Sequence, residues 1–240
     1  MARAMINTLL ALERQNCETS GLIRSPHSRE SRDIKTPAEV RGRPLRIIGV
    51  GGAGLNILSR IPKTEFEDAE VFAADTDSVH LAVSGVPRKI LLPASPGMLS
   101  GSDSNPACGR DAALETKEEF RRALDGARYV IVLCGLGGAT GTGAAPVVAR
   151  IARDAGLMTA AICLWPFSGE GRNMESNAEL GVRKLMKTVD IVVLVPNDAL
   201  MEADPEVSLD MAFEAMDKII IRSIKSIFQG FSSLEHQRRD

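Results

Sequence analysis

The sequence predicts an α/β protein built on a doubly wound, mostly parallel β-sheet. From residue 45 onward, six short apolar runs rich in β-branched residues alternate with longer segments of helical periodicity. Uninterrupted apolar runs are typical of parallel strands that helices cover on both faces. Right-handed strand–helix–strand units then give three layers, helix, sheet and helix, in a Rossmann-like arrangement. Such sheets bind ligands beyond the carboxyl ends of their strands, where two glycine-rich clusters lie in this sequence.

The predicted strands are the apolar runs over residues 45–50, 70–75, 89–93, 129–135, 158–165 and 190–196. The predicted helices between them lie near residues 53–60, 107–126, 143–155 and 173–188. A longer helix is expected over residues 209–228, because apolar residues such as Met216 and Ile220 recur at helical spacing opposite a charged side. These limits predict a ligand-binding domain at 45–207, a connecting helix at 208–230 and a polar tail at 231–240.

Residues 1–44 are expected to form a disordered or loosely helical tail. The segment is polar, basic and interrupted by Pro26, Pro37 and Pro44. Such a composition buries too little apolar surface to offset the conformational entropy that folding removes. Glu13 and Glu18 interrupt its start and no long apolar stretch follows, which argues against a targeting peptide.

Composition argues against several classes of function. Lysine plus arginine number 29 and aspartate plus glutamate 31, so the net charge of −2 argues against a surface built for nucleic acid. No apolar run approaches the ~20 residues of a membrane span. The four cysteines show no C-x-x-C pair and the three histidines are scattered. We therefore expect no metal site, idle thiols and a cytoplasmic location.

The first glycine cluster, GVGGAGLN at residues 49–56, directly follows the first predicted strand. It fits the pattern G-x-G-x-x-G, in which a backbone without Cβ atoms turns tightly and approaches a phosphate closely. Asp75 lies 21 residues after Gly54, near the ~20 expected for the acid that binds a dinucleotide ribose. Taken alone, the cluster suits a dinucleotide site or a tight turn without a ligand.

The second cluster, GLGGATGTGAAP at residues 135–146, follows the fourth predicted strand and has glycine at five of positions 135–143. This abundance indicates backbone N–H groups that curl around an anion at a helix N-terminus, with Thr140 and Thr142 as further donors. The loop lacks the lysine of a P-loop. Two glycine loops at two strand ends favour a nucleoside di- or triphosphate over NAD, which needs only the first loop.

The second cluster resembles the signature loop of the tubulin/FtsZ GTPases in its FtsZ form, and the resemblance extends from about Arg46 to Phe228. Six further segments match in order: GVGGAGLN (49–56), ADTD (74–77), SNPACGRDAA (104–113), WPFSGEGRN (165–173), VPNDAL (195–200) and MAFEAMD (211–217). The resemblance implies the family's GTP-binding domain over residues 45–207. It also implies GTP or GDP as the ligand, with Mg²⁺ accompanying the nucleotide.

The resemblance implies roles for individual residues. Glu170 would hydrogen-bond the ribose, Phe213 would stack on the guanine, and Asp217 would accept hydrogen bonds from the guanine N1–H and amino group. The role of Asp217 suits guanine chemically, because adenine presents an acceptor at N1. The other implied nucleotide contacts are Gly51, Gly52, Ala53, Gly54, Asn56, Gly137, Gly138, Ala139, Thr140, Gly141, Thr142, Gly143 and Arg172.

The sequence departs from the family pattern in three places. Ala139 stands where the family usually has glycine, so its methyl group is expected to crowd the γ-phosphate or shift the loop. Met174 stands where many members have an arginine that reaches the nucleotide, and Arg172 is the nearby substitute. The resemblance also implies a second domain whose acidic loop positions the attacking water, and residues 231–240 are not expected to supply that loop.

We therefore expect a protein of this cell-division and cytoskeletal family that binds GTP or GDP and hydrolyses GTP slowly by itself. The long helix is expected to expose an apolar side for dimer formation or for docking onto a full-length FtsZ- or tubulin-like protein. The alternatives are an active GTPase that such a partner completes, and a structural or regulatory remnant without nucleotide binding. The second glycine loop and the lack of a substrate domain disfavour a NAD-type dehydrogenase.

Overall fold

The computed structural model describes residues 22–24, 44–67, 69–94, 105–198 and 209–236. Its strands are β1 (Leu22–Arg24), β2 (Leu45–Val50), β3 (Ala69–Asp75), β4 (Arg88–Leu91), β5 (Tyr129–Gly135), β6 (Met158–Trp165) and β7 (Ile191–Pro196). Its α-helices are α1 (Gly51–Arg60), α2 (Ser78–Val83), α3 (Pro106–Glu115), α4 (Lys117–Leu124), α5 (Ala139–Asp154), α6 (Arg172–Met186) and α7 (Leu209–His236). Two 3₁₀ turns cover Lys63–Phe66 and Ser168–Glu170.

The strands form one sheet in the order β1-β7-β6-β5-β2-β3-β4. Strands β2 to β7 run parallel, whereas β1 pairs antiparallel with β7 at the edge. The chain places β3 and β4 on one side of β2 and then crosses over to place β5, β6 and β7 on the other. The strand order therefore reverses between β2 and β5, where a crevice forms at the carboxyl ends of the strands. The predicted doubly wound, mostly parallel sheet is confirmed.

Two apolar cores cover the two faces of the sheet. Within β2, Ile48 and Val50 belong to the core under α3, α4, α5 and α6, whereas Leu45 and Ile47 belong to the core under α1, α2 and α7. Ile47 and Ile48 are both 0% exposed, so neighbouring side chains on opposite faces are equally buried. This two-sided burial explains why a central strand such as β5 is a continuous apolar run rather than an alternating pattern.

Helices α3 and α5 cross in close contact, and the contact positions the start of α5. A Cβ on Gly143 would overlap the carbonyl oxygen of Pro106, and a Cβ on Gly109 would overlap the carbonyl oxygen of Ala139. Glycine at both positions lets the two backbones approach. The predicted helix over 107–126 is divided here into α3 and α4 at Thr116, whose hydroxyl donates to the carbonyl of Ala112.

Parts of the two expected tails belong to the folded domain. Leu22–Arg24, in the expected disordered or loosely helical tail, form the edge strand β1. Helix α7 continues to His236, into the expected polar tail. Its continuation is packed, because Phe231 is 1% exposed and stacks on Tyr129 with ring centroids 5.8 Å apart. The rest of both expected tails lies almost entirely outside the described residues. Within the described ranges, no helix is both long and apolar enough to span a bilayer.

Candidate functional site

An open cleft of about 280 Å³ lies at the carboxyl edge of the sheet, where the strand order reverses. This volume is close to the lower end of the ~300–1,000 Å³ range of small-molecule sites. The first turns of α1 and α5 form two of its walls. The lining residues are Val50, Gly51, Gly52, Ala53, Gly135, Leu136, Gly138, Ala139, Thr140, Gly141, Leu164, Pro166, Glu170, Met174 and Asn197.

The first wall is the start of α1, which begins at Gly51 directly after β2, two residues earlier than predicted. Gly51 has a φ of +73°, and a Cβ there would lie 3.0 Å from the backbone nitrogen of Gly141. Glycine at this position therefore lets the two glycine clusters meet. Gly52 and Ala53 follow in the first turn and line the cleft. The N–H groups of a first turn have no partner within their helix and are suited to bind an anion.

The second wall is the start of α5, which begins at Ala139 with Gly138 as its N-cap residue. Ala139, Thr140 and Gly141 therefore belong to the first helical turn, four residues before the predicted start, and they line the cleft. The predicted phosphate loop is thus largely a helix N-terminus. Since α5 has 16 residues, its aligned peptide dipoles place positive potential at this end.

The back of the second glycine loop is held by side chains. Thr142 is 1% exposed, and its hydroxyl accepts a hydrogen bond from the Gly137 N–H at 2.8 Å. The side-chain amide of Asn177 donates to the Gly137 carbonyl at 3.0 Å. Thr142 and Gly137 therefore shape the loop from behind and do not line the cleft, although the sequence predicts both as nucleotide contacts.

Two further glycines with predicted nucleotide contacts are packing residues in the structure. A Cβ on Gly54 would lie 2.6 Å from the carbonyl oxygen of Leu133, and Gly143 lies against Pro106 as described above. Neither glycine lines the cleft. Helix–strand and helix–helix contacts explain glycine at these positions without a ligand.

A hydrogen-bonded chain connects the segment after β3 with α1. Asp75 is 4% exposed, and its carboxylate accepts a hydrogen bond from the Thr76 N–H at 2.7 Å. His80 places Nδ1 3.2 Å from Asp75 Oδ2 and Nε2 3.0 Å from Asn56 Oδ1. Burial raises the pKa of Asp75, while hydrogen bonds from backbone N–H groups and the nearby His80 oppose the rise. Asn56 is exposed and lies outside the cleft lining.

The same segment also contacts the second glycine loop. The hydroxyl oxygens of Thr76 and Thr140 lie 3.0 Å apart, within hydrogen-bond distance. Thr140 lines the cleft, so this bond joins the segment after β3 to the wall that α5 forms.

The segment after β6 supplies the third wall. Glu170 lines the cleft, and its Oε1 accepts a hydrogen bond from the Phe167 N–H at 2.8 Å. Arg172 begins α6, is exposed and does not line the cleft. Met174 does line it, and its Cε would lie 3.2 Å from a Cβ on Gly137. An apolar thioether therefore occupies the wall where the family resemblance predicts a cation.

The structure adds Asn197, a lining residue that is absent from the sequence-based set of contacts. Its Oδ1 is buried and has no hydrogen-bond partner among the described residues. An unpaired buried acceptor costs free energy, so a donor from a ligand would satisfy it. The signal that would have found Asn197 is its position directly after β7, at the same sheet edge as both glycine clusters.

Phe213 and Asp217 lie on α7 and outside the cleft lining. Asp217 receives two hydrogen bonds from Arg60, each 2.8 Å long. The Arg60 guanidinium also lies 5.2 Å from the centroid of the Phe213 ring. The structure thus brings the two residues predicted to recognise the base to one shared cation at the end of α1.

The charge of the cleft comes mainly from its backbone. Among the described lining residues, Glu170 is the only one with a charged side chain. Two facing helix N-termini supply the positive potential that an anionic ligand needs. Among the described residues, no group of three or more histidine, cysteine, aspartate or glutamate side chains is placed to hold a metal ion.

A doubly wound sheet with two glycine-rich helix N-termini at its switch point defines the class: a Rossmann-like α/β domain with a cleft between those N-termini. The chain belongs to the Tubulin/FtsZ family, since residues 44–204 match the model of that family's GTPase domain. It is 42% identical to Cell division protein FtsZ 1 of Thermococcus kodakarensis over 195 residues, which are 81% of this chain and 52% of the relative. It is 41% identical to the FtsZ 1 of Archaeoglobus fulgidus over 183 residues, 76% of this chain and 50% of the relative. The chain therefore spans about half the length of these relatives.

Solved structures give the same family. The fold matches an empty FtsZ dimer of M. jannaschii with a TM-score of 0.68 and 35% identity, over 78% of this chain and 55% of that one. It also matches CetZ2 from Haloferax volcanii, a GTPgS-bound protofilament, with a TM-score of 0.64 and 26% identity. That match covers 76% of this chain and 57% of CetZ2.

Proposed function

We propose that this protein binds GTP and GDP in the cleft between α1 and α5. The observation that carries the proposal is the meeting of two helix N-termini, with Gly51 and Gly141 in contact distance and no bulky side chain between them. A diphosphate placed there accepts hydrogen bonds from both first turns. The unpaired Oδ1 of Asn197 supplies an acceptor for a sugar hydroxyl or a base amino group on the opposite side.

Guanine is the proposed base. The carboxylate of Asp217 matches the N1–H and amino donors of guanine, and the Phe213 ring offers a stacking surface beside it. Arg60 contacts both residues, since it donates two hydrogen bonds to Asp217 and its guanidinium lies 5.2 Å from the centroid of the Phe213 ring. Mg²⁺ would accompany the phosphates and neutralise part of their charge, and the hydroxyls of Thr76 and Thr140, which lie 3.0 Å apart, would be candidate protein oxygens for it.

We also propose that these residues by themselves hydrolyse GTP slowly. Phosphoryl transfer depends on groups that orient the attacking water and neutralise developing charge. Among the described lining residues, Glu170 is the only carboxylate and is bonded to the Phe167 N–H, and Met174 replaces a cation. Phosphate release from the chain alone at a rate comparable to that of a filament-forming FtsZ contradicts this proposal. A large acceleration by added FtsZ supports completion by a partner instead.

Self-association through α7 is the proposed mode of assembly. Met211 and Ile219 on this helix are 60% and 46% exposed. Sedimentation of the wild type and of Ile219→Glu over a range of concentrations tests it, and a monomer at every concentration contradicts it. Docking onto a full-length FtsZ-like protein is the second outcome, and sedimentation of the chain with added FtsZ detects it. The proposed location is the cytoplasm, where GTP is produced and consumed.

The test of nucleotide binding uses Gly138. This residue has φ −74° and ψ 163°, and a Cβ there would meet no atom within 4 Å, so its backbone and surroundings accept a Cβ. Asparagine and aspartate are both good N-cap residues, and they differ only in charge. We expect Gly138→Asp to weaken GDP binding at least about tenfold relative to Gly138→Asn, because its carboxylate repels the phosphates.

Titration calorimetry with GTP, GDP, ATP and NAD measures the affinities of both variants and the wild type. Guanine preference together with the loss in Gly138→Asp supports the proposal. If the protein binds none of these nucleotides, the structural or regulatory remnant is favoured. If Gly138→Asp and Gly138→Asn bind GDP with equal affinity, the ligand lies elsewhere. Tight NAD binding overturns the assignment to GTP.

A further inference from the structure

The carboxylate of Asp198 reaches from the end of β7 to the segment that follows β6. The Ser168 N–H donates to this carboxylate, with Oδ2 at 3.1 Å and Oδ1 at 3.2 Å. The Ser168 hydroxyl lies 3.5 Å from Oδ1, at the outer limit of a hydrogen bond. The two residues are 30 positions apart in the chain, so the contact is tertiary and joins the ends of two neighbouring strands.

Ser168 is the first residue of the 3₁₀ turn Ser168–Glu170. The first N–H groups of a helical turn have no partner within it, so their acceptors come from elsewhere. Asp198 supplies the acceptor for Ser168, while Glu170 accepts from the preceding Phe167 N–H at 2.8 Å. Two carboxylates therefore hold two successive N–H groups at the start of the turn, and bonds to an ionised acceptor are stronger than neutral ones.

The turn has little packing of its own. Ser168, Gly169 and Glu170 are all exposed. Glycine flanks Glu170 on both sides, and a Cβ on Gly169 or Gly171 would meet no atom within 4 Å. Because glycine has wide conformational freedom and the turn buries little surface, its position depends mainly on its hydrogen bonds.

Both partners of the bond lie next to lining residues of the candidate cleft. Glu170 lines the cleft two residues after Ser168, and Asn197 lines it directly before Asp198. Asn197 also donates its backbone N–H to the Trp165 carbonyl at 3.2 Å, which extends the pairing of β6 with β7. The bond between Ser168 and Asp198 therefore fixes the relative position of two lining side chains that come from different strand ends.

We propose that Asp198 is a positioning residue for nucleoside binding, because it holds the turn Ser168–Glu170 where Glu170 and Asn197 contact one ligand together. The inference rests on the proposed binding of guanine nucleotides. In that proposal the phosphates bind the first turns of α1 and α5, which follow β2 and β5 rather than β6 and β7. Loss of Asp198 is therefore expected to weaken binding of the nucleoside part and to leave binding of free pyrophosphate unchanged.

The test removes the acceptor with Asp198→Ala and the donor with Ser168→Pro. Proline suits the first position of a helical turn, and Phe167 has φ −62° and ψ 146°, the extended conformation that residues before proline adopt. We expect each variant to weaken guanosine and GDP binding about fivefold to tenfold. The double variant is expected to bind no more weakly than either single variant, because all three lack the same bond.

Two conservative variants are the matched controls. Asp198→Asn keeps an acceptor for the Ser168 N–H, and Ser168→Ala keeps the N–H while removing the hydroxyl. Both are expected to bind guanosine within about twofold of the wild type. A loss in Ser168→Ala as large as that in Ser168→Pro assigns the effect to the hydroxyl and overturns the proposal.

Titration calorimetry with guanosine, GDP and pyrophosphate measures all of these proteins. Weaker binding of guanosine and GDP with unchanged binding of pyrophosphate supports the proposal. Equal losses for all three ligands indicate a general loss of structure and overturn it. Additive losses in the double variant also overturn it, because Asp198 and Ser168 then act independently.

A further readout needs no ligand. The amide proton of Ser168 is expected to exchange with water at least about threefold faster in Asp198→Ala than in the wild type, as measured by NMR. Exchange at the wild-type rate overturns the proposal, since the bond then does not hold the turn. If the wild type binds no guanine nucleotide, the proposed function fails, and the exchange rate still decides whether Asp198 fixes this turn.

Discussion

Arg60 donates two hydrogen bonds to Asp217, from Nε to Oδ2 and from Nη2 to Oδ1, and each is 2.8 Å long. This pair joins the last residue of α1 to α7. The two side chains are 36% and 13% exposed, so the pair lies at the surface but is partly shielded on the aspartate side. The carboxylate predicted to read guanine is thus held in one orientation by a planar, bidentate partner.

The first prediction separates the recognition of guanine from the ion pair. Asp217→Asn is expected to reduce the preference for GDP over ADP by about tenfold or more, because an amide no longer offers two acceptors to guanine. Arg60→Met is the matched control, since it removes the ion pair and keeps the carboxylate. It is expected to retain the guanine preference. Competitive titrations of GDP and ADP measure the guanine preference of both variants. An equal loss of this preference in Asp217→Asn and Arg60→Met assigns the effect to the ion pair.

The second prediction concerns the missing cation of the cleft. Met174→Arg places a guanidinium on the wall beside Gly137, and we expect it to tighten GDP binding about tenfold at low salt. Met174→Leu is the control and is expected to bind like the wild type. Titrations at two salt concentrations check the origin of the effect, because an electrostatic gain shrinks as ionic strength rises. A gain of equal size in both variants contradicts the prediction.

The third prediction concerns the contact of α3 with α5. Gly143→Ala is expected to lower the free energy of unfolding by about 3 kcal/mol, because the new methyl group overlaps the carbonyl oxygen of Pro106. Gly230→Ala in α7 is the matched control, since a Cβ there meets no atom within 4 Å. It is expected to stabilise the protein by about 0.5–1 kcal/mol through helix propensity. Urea denaturation of both variants measures the difference, and a mild effect at Gly143 argues against the close crossing.

The fourth prediction concerns pH and the buried carboxylate of Asp75. Burial raises its pKa above the 3.8 of a solvated aspartate, so the folded state holds this proton at a pH where the unfolded chain has lost it. The contribution of Asp75 to the free energy of unfolding therefore falls as the pH rises through the window between those two pKa values. His80→Gln is compared with the double variant His80→Gln, Asp75→Asn, so that imidazole titration does not contribute. We expect stability to increase more on acidification in the single variant, and parallel urea midpoints contradict the prediction.

Much of the fold was predictable because its strands follow from local patterns of apolar residues in the sequence. All six parallel strands appear where apolar runs predict them, since burial on both faces leaves no polar side chain in a run such as residues 130–134 of β5. The starts of α1 and α5 were less predictable. Glycine has low helix propensity, so the helical turns at Gly51 and Gly141 depend on contacts between the two clusters and with neighbouring elements.

The candidate site was predictable in outline only. A cluster of glycines looks alike whether a glycine faces a ligand or a neighbouring backbone, and tertiary contacts separate Gly52 and Gly138 from Gly54 and Gly143. Asn197 has no local signal beyond its position after a strand. Its relevance comes from a buried oxygen without a partner, which depends on elements distant in sequence.

The sequence by itself determined the family, the order of strands and helices, and the two clusters from which the cleft is built, because periodicity and motif spacing are local properties. The tertiary structure alone decided which of those residues line the cleft, that Met174 leaves one wall without a cation, and that Arg60 holds Asp217. It also decided that β1 and the end of α7 join the folded domain. The physical reason is that a side chain's partners depend on which elements the sheet brings together, and residues 60 and 217 are 157 positions apart in the chain.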